Sequence, residues 1–181
     1  MKTYHQLRLI LAFISLCIST SAAAQSTILK TNPAALVFGI FHGEVEQVLS
    51  EKKSITVYVQ TGQIPGRTDH SFVSVGTALR RYFSNNKAVK APNSPFVQGG
   101  LHYASTKAGG EETLASASMV GASLLGGRQW LFLNNRMSFG IGIGMEMNLT
   151  IAKTVLDLQW RDVNYDVFRV TGLINLGVAL Q

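Results

Sequence analysis

From Met119 to Leu149 the chain reads MVGASLLGGRQWLFLNNRMSFGIGIGMEMNL, two alternating runs set back to back across Asn134-Asn135. Alternation with a period of two is the mark of a β-strand, and an Asn-Asn pair tolerates the positive φ of a two-residue hairpin turn. If Leu133 pairs with Arg136, then Phe132 faces Met137, Trp130 faces Phe139 and Gln129 faces Gly140. In the second arm Met137, Phe139, Ile141, Ile143, Met145, Met147 and Leu149 share one face; Ser138, Gly140, Gly142, Gly144, Glu146 and Asn148 share the other. Glycine weakens a strand and packs nothing. A glycine-rich polar face therefore suits a crowded barrel interior, with the bulky apolar face turned to lipid. The inverse arrangement, a soluble periplasmic barrel holding an apolar ligand, would leave those glycines and Asn148 facing water.

The start of the chain says where such a barrel would be sent. Lys2 and Arg8 precede an apolar run of ten, Leu9 to Ile18, followed by small residues ending Ala22-Ala23-Ala24. This pattern predicts a Sec signal peptide over 1–24 and a barrel domain over 25–181, since the run is far short of the roughly 20 residues a spanning helix needs. Cys17, the single cysteine, falls inside the leader, so the mature domain has no disulfide and no lipid anchor. That domain keeps 14 basic and 10 acidic side chains, a scattered excess without the basic stripe that nucleic-acid binding requires. No mature segment reaches 18 apolar residues. Spanning a bilayer would then demand a closed barrel, because lipid leaves no backbone group unpaired.

The pattern predicts eight strands: Thr27 to Ala35, Ile40 to Leu49, Ser54 to Gly62, Ser71 to Phe83, Pro95 to Ser105, Leu114 to Leu133, Arg136 to Thr150 and Val167 to Leu180. Asn32-Pro33 weakens the first toward a strand end. Even parity fits an antiparallel up-and-down transmembrane barrel with both termini in the periplasm. Periplasmic turns then fall at Ser50–Lys53, Ser84–Ser94 and Asn134–Asn135. Outer loops fall near Val37–Gly39, Gly62–His70, Thr106–Thr113 and Ile151–Asp166. Phe41, Tyr82, Phe83, Phe96, Trp130, Phe132 and Phe168 sit near strand ends, where interfacial girdles belong. Strict pairing puts Arg128 outward, where a mid-bilayer arginine costs roughly 2–4 kcal/mol. A bulge between Leu124 and Gln129, at Gly126-Gly127, would turn it inward.

Four short stretches carry a resemblance: Leu29-Lys30-Thr31-Asn32, Glu44-Val45-Glu46 before a turn, Arg80-Arg81-Tyr82-Phe83 closing a strand, and Gly127-Arg128-Gln129-Trp130 before the hairpin. Together they resemble a family of small outer-membrane β-barrel proteins common in Bacteroidota. The resemblance covers most of the mature chain. It implies an eight-stranded barrel of OmpX/OmpW-like size and shape, with no enzymatic activity and no catalytic residues to transfer. One departure is the end, Val178-Ala179-Leu180-Gln181, where such barrels usually carry a terminal aromatic residue and this chain has a penultimate Leu180.

Within the expected lumen, Glu44, Glu46 and Arg80 point inward and are near enough to pair, which a desolvated charge requires. The reading is a structural plug; ion selection in a small pore is the sharper alternative. An eight-stranded barrel mostly fills itself with side chains, which argues against bulk conduction. His42, His70 and His102 lie on separate segments. His102 with Ser105 could be set against lipid A deacylation, but the chain has His102-Tyr103-Ala104-Ser105 rather than that enzyme's His-x-Ser-Asn-Ala. Asp69-His70-Ser71 are neighbours in sequence and cannot converge. No metal-ligand spacing occurs, and no cofactor is implied. Trp160, Arg161, Asp162 and Tyr165, in the last outer loop, are possible surface contacts. The function expected is an integral outer-membrane barrel with a structural or surface-interaction role and no catalysis. Its partners would be outer-membrane lipids, lipopolysaccharide and the assembly machinery. A narrow channel for small or apolar solutes is the alternative.

Overall fold

The computed structural model of the chain describes residues 26–64, 67–83, 92–108, 115–155 and 168–180. The expected leader over 1–24, the Ser84–Ser94 connection up to residue 91 and the loop residues Trp160, Arg161, Asp162 and Tyr165 lie outside them. Eight antiparallel strands close into a barrel in sequence order: β1 (Ser26–Thr31), β2 (Ile40–Ser50), β3 (Lys53–Ile64), β4 (Arg67–Tyr82), β5 (Pro95–Ala108), β6 (Ala115–Phe132), β7 (Met137–Val155) and β8 (Phe168–Leu180). A five-residue helix, α1 (Pro33–Val37), separates β1 from β2.

The hairpin forms with the register its sequence sets. Phe132 pairs with Met137, Trp130 with Phe139 and Gln129 with Gly140. Leu133, Asn134 and Asn135 all take positive φ, at 51°, 57° and 65°, and Arg136 N–H closes the turn on Leu133 O at 3.2 Å. Left-handed backbone costs an ordinary L-residue about 1–2 kcal/mol. Asn135→Ala is therefore expected to lower stability by about 1 kcal/mol, whereas Asn135→Gly should not, as measured by denaturant unfolding of the refolded chain.

The interior is staggered. Following paired residues from Ile28 leads through Glu46, Thr56, Ala78, Gly100, Ser123 and Glu146 to Arg169. The β8–β1 register, Thr27↔Leu180, would return that path to position 38, ten residues along the chain from its start. A stagger of this size in eight strands makes a narrow tube that side chains can fill.

Two expectations are corrected, and the open facing of Arg128 is decided in favour of strict pairing. The first strand does not run to Ala35: it stops at Thr31, because Pro33 brings no N–H to a ladder and the Asn32 side chain instead caps α1, accepting from Ala35 N–H at 3.1 Å. Arg128 stays outward. The ladder is regular from Met119 to Phe132, the only irregularity of this pair lying between Ser118 and Met119, and the Arg128 guanidinium stacks 5.4 Å from the Trp130 ring. Finally, Tyr82 and Phe96 belong to no girdle. Both are 2 % exposed inside the barrel, in contact with Leu125 and Leu173, because they share the inward parity of Arg80 and Gln98. Several strands also run past their expected loop ends: β5 continues to Ala108 and β7 to Val155, and only positions 65 and 66 separate β3 from β4.

The two faces of the wall are opposite in polarity. Every strand carries exposed apolar side chains on its outside, among them Leu29, Phe41, Val59, Leu79, Leu101, Leu124, Ile143 (68 %) and Val170 (75 %). The buried residues are largely polar, including Lys30, Glu44, Glu46, Thr56, Arg80, Gln98, His102, Gln129, Glu146 and Asn175. The usual arrangement of a water-soluble domain is the reverse.

Candidate functional site

Toward the end of the barrel that carries the hairpin turn, side chains from seven of the eight strands converge on two carboxylates. Glu46 is fully buried. It accepts from Lys30 Nζ, from Tyr82 OH, from Ser54 Oγ at 2.5 Å, from Gln129 Nε2 at 3.2 Å and from Arg80 Nη1 at 3.3 Å. Glu44 accepts from Lys30 Nζ and Arg80 Nη2, each at 3.3 Å, and from Asn175 Nδ2 at 2.9 Å. Arg80 spends its remaining donors on Gln98 Oε1 (Nε, 2.8 Å) and Gln129 Oε1 (Nη1, 2.8 Å), and its guanidinium lies 4.3 Å from the centre of the Phe96 ring.

Two cations thus meet two anions with no net charge, and a planar guanidinium is the one side chain able to bridge four acceptors in a fork. Taking such ions from water costs several kcal/mol each. Only a network this complete makes the burial tolerable.

Alternation brings Glu44, Glu46 and Arg80 together here. Lys30, Gln98 and Gln129 complete the cluster and were not singled out by their sequence, while Tyr82, expected in a girdle, joins it on the inward parity of Arg80. For Lys30 the available signal was its place two residues from Ile28 on the inward parity of β1, obscured by the Asn-Pro break that follows. Gln129 and Gln98 carried the same parity signal, yet a glutamine on a polar strand face announces no partner.

A second, looser layer lies nearer the opposite end. Here a cavity of about 220 Å³ is lined by Ile40, Tyr58, Ser74, His102, Glu146 and Arg169, among others. Glu146 Oε1 stands 2.8 Å from Arg169 Nη2 and 3.2 Å from His102 Nε2. Asn148 donates its Nδ2 to the same carboxylate oxygen at 2.9 Å and lies 2.8 Å from His102 Nε2 through Oδ1. The imidazole needs the glycine opposite it: a Cβ on Gly121 would stand 2.3 Å from His102 Nε2. Gly76 makes room for Tyr58 in the same way, at 2.4 Å from Cζ. At these two positions the inward glycine is space for a large polar side chain of a neighbouring strand.

The histidines do not assemble a catalytic group with their sequence neighbours. His102 is buried inside, while Ser105 has the outward parity, flanked by the buried Ala104 and Thr106. His70 is likewise buried and Ser71 exposed. His42 stacks on Tyr58 with ring centres 5.8 Å apart, and its Nε2 stands 3.6 Å from Glu44 Oε2. Comparison of the chain with protein-family models, curated proteins and solved structures found no match.

Proposed function

We propose that this chain is an integral outer-membrane β-barrel, closed to bulk flow by its charged plug, with a structural or surface-interaction role rather than a catalytic one. The observation that carries this reading is the inverted wall. Apolar side chains are exposed on all eight strands, and ionised groups are buried inside. A closed barrel pairs its strands edge to edge around the circuit without water, as a bilayer demands, and its strands would do the crossing, since no helix among the described residues is long and apolar enough. Arg81 over Phe83 and Arg128 over Trp130 pair a cation with a ring on the outer face near one end, where lipid headgroups would meet them. The sequence resemblance to small outer-membrane barrels and the leader expected over 1–24 agree with this placement. Lipids and lipopolysaccharide would be its surroundings, and the assembly machinery its route there.

The test is gel mobility of residues 25–181 refolded into detergent, boiled against unboiled. A mobility shift with a detergent-dependent β spectrum is expected; folding in plain buffer without a shift would instead favour a soluble barrel. A second measurement separates the two readings energetically. Ile143→Arg should cost about 2–4 kcal/mol in lipid vesicles if that face meets hydrocarbon, and close to nothing if it meets water. Planar-bilayer recordings of the wild-type chain should show no steady conductance, and a steady current would favour the channel reading.

A further inference from the structure

The barrel wall is incomplete on one side. The β1–β8 ladder runs only from Thr27↔Leu180 to Thr31↔Leu176, so residues 168–175 of β8 have no β1 partner. Across the break, Ile40, Phe41 and His42 of β2 also extend past the last β1 pair, Thr31↔Gly43. The helix α1 stands in this break and packs against both strands. The break falls within the apolar belt, since Phe168, Val170 and Ile174 on the unpaired part of β8 are exposed outward.

Cavities lie on both sides of the break. Inside is the 220 Å³ cavity, whose wall includes Ile40 and Arg169, one from each flanking strand. Outside, a groove of about 660 Å³ runs from Asn32 and Ala34 past Gly172 and Ile174 to Gly126 and Arg128. Its side walls are Ile141, Ile143 and Ile174. Its floor is thin because of two glycines that the backbone does not require: neither has positive φ, and a Cβ would approach nothing closer than 3.9 Å at Gly172 or 4.0 Å at Gly126. These positions leave open space rather than avoid a clash.

The chemistry of the two cavities differs. The groove is apolar between Asn32 at one end and Arg128 at the other. The inner cavity presents Arg169, whose side chain is 59 % exposed and whose Nη2 touches Glu146, and His102, whose Nδ1 has no hydrogen-bond partner among the described residues.

We infer that the break between β8 and β2 is a lateral portal for a single-chain anionic amphiphile. Its carboxylate sits on Arg169 in the inner cavity, and its hydrocarbon chain passes beside α1 into the glycine-floored groove. The carboxylate oxygens complement the Arg169 guanidinium, and one unbranched chain fits a groove floored by Gly126 and Gly172. This inference rests on the membrane-barrel reading above.

The test is saturable binding of radiolabelled palmitate to residues 25–181 in phospholipid nanodiscs, measured against empty nanodiscs. Hexadecanol, which has the chain without the charge, and butyrate, which has the charge without the chain, serve as competitors. One palmitate per chain is expected, with both competitors at least tenfold weaker. Gly172→Leu and Arg169→Gln should each weaken binding tenfold or more while retaining the heat-dependent gel shift. Gly126→Leu fills the same groove two strands away and serves if Gly172→Leu fails to refold. Wild-type affinity in the groove-filled and Arg169→Gln variants would overturn the portal, as would butyrate competing as well as palmitate. So would absence of saturable binding to a chain that shows the gel shift. A chain that folds without detergent would instead overturn the membrane reading on which the portal depends.

Discussion

Glu46→Gln is expected to lower the stability of the refolded barrel by about 3–5 kcal/mol, the cost of leaving a buried charge without its partner. Glu46 answers Lys30 and Arg80 at once. With its charge gone, those two cations share Glu44 alone at a site from which water is excluded. The amide keeps the volume, so the loss reads charge and hydrogen bonding rather than a cavity. Adding Lys30→Met to Glu46→Gln should recover part of the loss, because the double variant again balances one cation against one anion. The comparison belongs in a double-mutant cycle by denaturant unfolding in lipid or detergent, where contacting residues couple by 0.5–3 kcal/mol. Additive losses would mean that the two side chains do not share the cluster as described.

Gly127→Ala is expected to cost about 1–3 kcal/mol through overpacking, whereas Gly126→Ala, one residue earlier, should change stability by less than about 0.5 kcal/mol. Gly127 faces inward, and its added Cβ would lie 2.3 Å from Ile141 O, 2.8 Å from Gly142 Cα and 2.8 Å from Phe96 Cζ. The first two are backbone atoms of the paired strand and cannot rotate away. Gly126 faces outward, with only Phe96 O at 4.0 Å. Unfolding midpoints of the two variants measured side by side provide the check, and equal effects would mean that the faces are wrongly assigned.

The features legible in the sequence are those set by neighbours along one strand or across one turn. Asn134-Asn135 permits the tight reversal, and from that single pairing the partners of Phe132, Trp130 and Gln129 follow. Strict alternation in β4 and β7 likewise places Arg80 and Glu46's lumenal partner Tyr82 on one face and Val75 and Ile143 on the other. Phe96 shows where such reasoning falls short. Its position near a strand end suggests an interfacial ring, but its parity puts it under Arg80, and which of the two prevails depends on a guanidinium from another strand.

The sequence by itself determined an all-β chain, its even strand count and the division into an apolar and a polar, glycine-bearing face. These follow from periodicity and turn chemistry, which act over a few residues. The tertiary structure alone decided that Lys30 joins Glu44, Glu46 and Arg80, that His102 meets Glu146 and Asn148, and that Arg128 remains outward on Trp130. It also decided that part of β8 is left without a partner beside α1, once Asn32-Pro33 ends β1. The cross-barrel partnerships depend on the stagger at which eight strands close, a property of the whole circuit that no single strand carries in its own pattern.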